Sequence, residues 1–148
     1  MSAIGEAEDW RSGLTHYATV LRAEYLSHRD GARTFSGTRL TDPEVLKAQE
    51  PWLRAWTEGL GLPLGEVMMA GELVRAFVVG FVIEEQERAQ SSADRYSLEN
   101  RDAALEADAP TVAAAGHAAT TDSGARFADQ LEVILNGLTL RFGGGPAE

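Results

Sequence analysis

The sequence predicts an all-α fold of about five helices. Apolar residues recur at steps of three and four along several segments, which is the spacing of one helix face. No segment shows the apolar–polar alternation of a half-buried strand. The chain has 148 residues, of which 44% are apolar, and this length suits one domain with a substantial core. We therefore expect a single helical domain over residues 8–142, followed by a flexible tail at 143–148.

The first helix is expected at residues 8–28. Its apolar stripe consists of Trp10, Leu14, Tyr17, Leu21 and Tyr25. After the stripe, Asp30-Gly31 is expected to end the helix, because glycine readily adopts the left-handed conformation found just past helix C-termini. The residues that follow, 32–40, are expected to form a short irregular connection.

A second helix is expected to begin at residues 41–44, whose sequence is TDPE. Thr41 is the expected cap, and Pro43 suits the first turn because the amide it lacks would be unpaired there. Glu44 lies three residues after the cap, where it completes a capping box. The helix is expected to continue to the glycine-rich segment at 59–61.

The next helix, at residues 63–88, contains the most apolar run of the chain. Its middle, residues 67–83, is apolar nearly all round, as expected for a helix that packs against several partners. Glu72 and Arg75 interrupt this run at a spacing of three residues, which brings two helical side chains close together. One interpretation is a buried or half-buried ion pair across the bundle of a dimer. The other is that one or both side chains line a ligand cavity, since a buried charge requires a partner.

The chain changes character at residues 89–109. This polar and weakly periodic segment predicts a mobile loop, with a frayed helix around 96–105. Pro110 is expected to open a short helix through Ala119, and the last helix is expected at residues 125–142. The apolar stripe of that helix consists of Phe127, Leu131, Ile134, Leu138 and Phe142.

The composition argues against several classes of protein. The 13 Lys and Arg residues stand against 23 Asp and Glu, which gives a net charge of −10. Nucleic acids and anionic membranes both require clustered basic side chains, so neither is an expected direct partner. The chain has no cysteine, which excludes disulfides and thiolate sites. A cytoplasmic location is expected, because the N-terminus lacks a signal-peptide pattern and the run at 67–83 is too short and too charged to span a membrane.

The sequence contains no motif typical of a catalytic centre. It has no Gly-x-Ser-x-Gly elbow, no phosphate-binding loop and no dinucleotide fingerprint. The histidines, His16, His28 and His117, share no metal-ligand spacing. No cofactor and no metal site are therefore expected, and a binding protein is favoured over an enzyme.

Several motifs occur together in an order that is typical of one protein family. They are HRDGAR at residues 28–33, Gly-Thr-Arg at 37–39, GLPL at 61–64, GFVIEEQE at 80–87, and Phe127 with LE at 131–132 and GL at 137–138. With Trp10, these motifs resemble the C-terminal ligand-binding and dimerising domain of tetracycline repressor (TetR) family regulators. The resemblance extends over residues 10–142.

The resemblance implies a helical bundle with a ligand pocket. The long helix and the last helix of two chains would form a four-helix interface and make a homodimer. The pocket would lie between the first helix, the loop at 37–39, the second helix and the long helix, and would bind a mostly apolar or aromatic small molecule. The residues expected to line it are Tyr17, Leu21, Phe35, Thr38, Arg39, Trp52, Trp56, Met68, Glu72, Arg75 and Phe77.

The sequence departs from the family pattern at the ligand chemistry. Tetracycline repressors have a histidine two residues before Gly-Thr-Arg, where this chain has Phe35, and phenylalanine cannot bind magnesium. Glu84 matches the family's carboxylate near the metal, but one carboxylate beside the Thr38 hydroxyl makes only a weak Mg²⁺ site. Tyr17 stands where the family has a drug-contacting asparagine. The expected ligand is therefore not a chelated tetracycline.

The family's N-terminal helix-turn-helix domain has no counterpart in these residues. A sensor module, a sequestering protein or a partner of a full-length regulator is therefore expected. The alternative is an enzyme of the cyclase or isomerase type that acts on a hydrophobic natural product in the same pocket. Such an enzyme would use orientation and a few acid–base groups, for which the candidates are Glu72, Arg75, His117 and Tyr17.

Overall fold

The computed structural model describes residues 9–35, 41–92, 97–105, 107–118 and 122–143, and every regular element in these ranges is helical. The all-α prediction is confirmed. In chain order the elements are α1 (Trp10–Leu26), α2 (Gly31–Phe35), α3 (Pro43–Lys47), α4 (Glu50–Arg54), one π-helical turn (Ala55–Gly59), α5 (Leu64–Gln90), α6 (Leu98–Leu105), α7 (Pro110–Ala118) and α8 (Ser123–Gly143).

Helix α1 begins after Asp9, whose carboxylate accepts a hydrogen bond of 2.8 Å from the Ser12 amide. The prediction that Gly31 supplies the left-handed residue after α1 is wrong, because Asp30 has the positive φ, at 57°. Gly31 instead starts α2. It is needed there because a methyl group at this position would collide with the carbonyl oxygen of Tyr25.

The single helix predicted from residue 43 to the glycines at 59–61 is interrupted between α3 and α4. Pro51 explains the break, since it has no amide hydrogen to donate to residue 47 and its ring crowds the preceding turn. The predicted cap is also corrected. Asp42, rather than Thr41, caps α3 by accepting a hydrogen bond of 2.8 Å from the Glu44 amide.

Helix α5 forms the centre of the core. One of its faces is fully buried through Val67, Val74, Val78 and Val82, and it packs against α1, α2 and α8. Helix α8 buries Phe127, Leu131, Leu135 and Leu138, in agreement with three positions of the predicted stripe. The ring of Phe127 stacks on Phe77 at 5.3 Å and meets Phe81 edge-on at 5.2 Å.

The start of α1 packs against the end of α8. Trp10 contacts Phe142 edge-to-face, with ring centres 4.9 Å apart. Next to this contact, the Arg11 guanidinium donates to Glu132 at 2.6 Å, to Asn136 at 2.8 Å and to Thr139 at 3.0 Å. No helix within the described ranges is both long and apolar enough to cross a membrane.

Helices α6 and α7 form a hairpin. Helix α6 lies at the frayed helix predicted around 96–105 within the loop, and α7 agrees with the short helix predicted from Pro110. The Arg101 guanidinium donates to the carbonyl oxygen of Val112 at 2.5 Å, and His117 contacts Asp102 at 2.6 Å. Gly116 is required for this packing, since any side chain there would occupy the space of the Arg101 guanidinium. The mobility of residues 89–109 stays a prediction.

Candidate ligand-binding site

Helices α1 and α5 contain most of the predicted site residues. The buried side chain of Gln86 fixes their relative position near their C-terminal ends. Gln86 is only 8% exposed, and its side-chain amide donates to the carbonyl oxygens of Tyr25 at 3.1 Å and of His28 at 2.9 Å. These carbonyls lie at and just after the end of α1, where the regular helical hydrogen bonds stop, and the His28 carbonyl also accepts from the Gly31 amide at 3.0 Å. The Gln86 side chain therefore acts as a cap that α5 supplies to α1.

A second contact joins α1, α5 and α8. Arg22 donates two hydrogen bonds to Glu85, at 2.6 and 3.0 Å, and the hydroxyl of Ser123 donates a third at 2.5 Å. The guanidinium carbon of Arg22 also lies 4.9 Å from the centre of the Phe127 ring, within cation–π range. We call Arg22, Glu85 and Ser123 the three-helix clamp.

Burial by itself raises the pKa of Glu85, but the hydrogen bonds from Arg22 and Ser123 outweigh it, so the net effect is a lowered pKa. The carboxylate is thus charged when the fold is intact, and its charge is matched by the guanidinium of Arg22. Sequence reasoning missed this clamp. The only available signal was a charged residue placed directly beside the apolar stripe of α1.

Arg75 on α5 lies close to two phenols of α1. Burial and then the neighbouring Tyr25 raise the pKa of Tyr17, while the positive charge of Arg75 lowers it in part. Burial likewise raises the pKa of Tyr25, and Arg75 again opposes that effect. Tyr17 and Arg75, two predicted site residues on different helices, therefore lie within electrostatic range of each other.

Glu72 and Arg75 do not pair with each other within the single chain, and an ion pair across the dimer bundle stays a prediction. Both side chains are exposed, and neither forms an ion pair with any described residue. Glu72 lies off the buried face of α5, which runs through Val67, Val74 and Val78. Arg75 lies at the edge of that face, seven residues before buried Val82, and its side chain is exposed.

The other predicted site residues divide by burial. Tyr17, Leu21, Trp52 and Phe77 are partly buried and pack on the edge of the core, whereas Trp56 belongs to the core itself. Trp52 and Trp56 meet edge-to-face at 5.9 Å, and Met68 is exposed. Thr38 and Arg39 lie outside the described residues, as does the side chain of Phe35.

The sequence profile of the tetracyclin repressor-like, C-terminal domain family matches residues 5–142, nearly the whole chain. The chain belongs to this family.

Named tetracycline repressors are among its relatives. The chain is 33% identical to the class A tetracycline repressor from transposon 1721 of Escherichia coli over 136 residues, which is 90% of this chain and 60% of that protein. It is 41% identical to the class G repressor of Vibrio anguillarum over 81 residues, covering 55% of this chain and 38% of the repressor. The class C repressor of Escherichia coli is 38% identical over 79 residues, covering 53% and 35%. The chain thus spans at most 60% of the length of these repressors.

Glu84, the weak metal candidate of the sequence, takes part in an ion pair in this TetR-family domain. Glu84 is exposed and lies 3.8 Å from Arg88, one turn further along α5. The two side chains border an open surface cleft of about 300 Å³ that also contains the ion pair of Arg33 and Glu87, 3.1 Å apart. Within the described part of the chain, no three His, Asp or Glu side chains lie close enough together to hold a metal ion.

The four residues suggested for an enzyme do not form one described cluster in this TetR-family domain. His117 contacts Asp102 inside the α6–α7 hairpin, and Glu72 is exposed on α5. Among the described residues of this set, Arg75 and Tyr17 lie within electrostatic range of each other. A phenol beside a guanidinium can bind an electron-rich group by hydrogen bonding and charge, which is the chemistry of recognition.

Proposed function

We propose that this chain is the ligand-binding and dimerising domain of a TetR-like regulator, and that it binds a mostly apolar, aromatic small molecule beside α1, α4 and α5. The observation that carries the proposal is the placement of Tyr17, Leu21, Trp52 and Phe77, which pack on the core and keep part of their surface exposed. Small-molecule sites are lined mainly by such apolar and aromatic side chains, with a few polar groups that orient the ligand.

The ligand is expected to differ from the drug named in the relatives. Those proteins are named tetracycline repressors. By the resemblance, Phe35 stands at the position where the family has its metal-binding histidine. Phenylalanine has no metal ligand to offer. The net charge of −10 disfavours direct contact with DNA. It therefore supports a role in which this domain acts through a partner protein or through a DNA-binding domain joined to it.

Replacing Leu21 with tryptophan is expected to block ligand binding. A screen of aromatic natural products by thermal shift should identify compounds that raise the Tm of the wild type. Saturation at about 100 times Kd stabilises a protein by about 2.7 kcal/mol, which raises Tm by roughly 5–10 °C in a domain of this size. The larger side chain at the partly buried position 21 should abolish this shift.

Val20→Trp is the matched control, because Val20 immediately precedes Leu21 in α1 and its side chain is exposed. It should keep the wild-type shift. The proposed site is wrong if both tryptophan variants bind as the wild type does, or if neither thermal shift nor native mass spectrometry detects any ligand.

We further propose a homodimer formed by α5 and α8. Val133 and Leu140 are 71% and 81% exposed and lie seven residues apart on one face of α8, together with Gly137. On α5, Leu73 and Gly80 are exposed as well. Apolar side chains at heptad spacing are typical of a helix that packs against another helix, and a second copy supplies two more such helices.

The double substitution Val133→Glu and Leu140→Glu is expected to convert the dimer to a monomer. Wild-type protein should sediment at twice the 15.9 kDa chain mass at micromolar concentration, and the double variant at the chain mass, because like charges would face each other across the two-fold axis. Circular dichroism should show unchanged helix content. Leu46→Glu, at an exposed position of α3, should stay dimeric. A wild-type monomer would contradict the proposal.

A further inference from the structure

Helices α6 and α7 take no part in the core of the domain. As the structure describes them, neither helix contains a buried residue, and each packs chiefly against the other. Their half-buried positions lie on one side of each helix, at Leu98, Arg101, Asp102 and Leu105 of α6 and at Ala113 and Gly116 of α7. The helices have eight and nine residues, and helices shorter than about 12–15 residues are only marginally stable in water without tertiary packing. Each helix therefore depends on its contacts with the other.

Two polar contacts hold this hairpin closed. The Arg101 guanidinium donates to the carbonyl oxygen of Val112 at 2.5 Å, and the two residues are 11 positions apart in the chain. His117 contacts Asp102 at 2.6 Å, across 15 positions. Gly116 leaves the space in which the guanidinium lies. Because these contacts join residues that are close in sequence, the hairpin can open or close while the helices outside it keep their positions.

The closed hairpin also contains two polar atoms that opening would return to water. The Nη1 atom of Arg101 and the Oδ1 atom of Asp102 are shielded from solvent, and neither has a hydrogen-bond partner among the described residues. A polar atom that is buried without a partner destabilises the state that buries it. The closed hairpin is therefore less favoured than one in which every buried polar atom is paired.

The helices on either side of the hairpin are held together by contacts of their own. Gln86 joins α5 to the end of α1, and Ser123, the first residue of α8, donates to Glu85 of α5 at 2.5 Å. One turn further along α8, the ring of Phe127 meets that of Phe81 at 5.2 Å. An open hairpin thus leaves the packing of α1, α5 and α8 in place.

We propose that α6 and α7 form a strap between α5 and α8 that opens as one unit while the core stays folded, with Arg101 as its latch. In the open strap, the Arg101 guanidinium, the Val112 carbonyl and the Asp102 carboxylate exchange their mutual contacts for contacts with water. Proteins draw the segments that move during function from units of low local stability. The strap is the described part of this domain that meets this condition.

Hydrogen exchange measured by mass spectrometry on the full chain tests this proposal. The amides of α6 and α7 should exchange at least about a hundredfold faster than those at the centre of α5, yet more slowly than those of an unstructured peptide. Arg101→Met keeps the apolar stem and removes the latch. It is expected to speed exchange of the strap by about three- to tenfold, the effect of losing one hydrogen bond, and to leave both the exchange of α5 and the Tm unchanged.

Arg88→Met is the matched control, because Arg88 is an exposed arginine whose ion pair with Glu84, at 3.8 Å, lies within α5. It should leave exchange of the strap unchanged. The proposal is overturned if the strap and the centre of α5 exchange at the same rate, since the two then open together, or if the wild-type strap shows no protection at all. It is also overturned if Arg101→Met leaves the strap unchanged or speeds exchange of α5 by the same factor.

Discussion

Replacing Arg22 with methionine is expected to lower the free energy of unfolding by about 3 kcal/mol. The substitution keeps much of the apolar stem but leaves Glu85 with the Ser123 hydroxyl as its remaining hydrogen-bond donor among the described residues, and with the charge of Arg126. Glu85 is mostly enclosed, with 17% of its side chain exposed, and removing one member of a buried ion pair costs about 3–5 kcal/mol. Urea unfolding followed by circular dichroism measures the change.

Two further variants separate charge from packing. Adding Glu85→Leu to Arg22→Met should recover most of the lost stability, since no uncompensated charge is then buried. Arg54→Met, which breaks the exposed pair of Arg54 with Glu58, should leave the free energy of unfolding nearly unchanged. A loss below about 1 kcal/mol for Arg22→Met would mean that the clamp does not stabilise the junction of the three helices.

Replacing Gly31 with alanine is expected to lower the free energy of unfolding by about 2–3 kcal/mol, as overpacking does in other cores. The added methyl group would collide with the carbonyl oxygen of Tyr25, which is backbone and cannot turn aside. The same oxygen accepts the hydrogen bond from buried Gln86, so a shift that relieves the collision also strains that bond. Tm should fall by roughly 5–10 °C in a thermal unfolding experiment.

Gly65→Ala is the matched control for this substitution. Gly65 is also helical, and a methyl group there would meet no atom within 4 Å. Alanine should therefore stabilise α5 by about 0.5–1 kcal/mol through its higher helix propensity. Equal effects of the two substitutions would show that close packing at Gly31 is unimportant.

Most of the fold was predicted from local sequence patterns. The exceptions lie at a proline, at a turn and at a helix cap. The apolar stripes of α1 and α8 predicted which faces are buried, because helical spacing is a property of neighbouring residues. The break before α4 and the left-handed Asp30 were not anticipated, although Pro51 carried the signal for the first. Capping was displaced by one residue, from Thr41 to Asp42, as is common at helix ends.

The site was predictable only in part. Composition and motif order indicated the family and a ligand surface on α1, α4 and α5. They could not show that Glu72 and Arg75 stay apart, because the angular position of a side chain relative to the core depends on how α5 packs. They also could not show that His117 pairs with Asp102, since that contact requires the turn between α6 and α7.

The sequence by itself determined an all-α, acidic, TetR-like domain with a central apolar helix. Helix periodicity, net charge and motif order are local or additive properties, so they can be read along the chain. Only the tertiary structure decided the pairing of Arg22 with Glu85, 63 residues apart, and the hydrogen bonds from Gln86 to the carbonyls of Tyr25 and His28. Such contacts depend on how helices distant in sequence are brought together, and sequence spacing contains no information on which distant side chains meet.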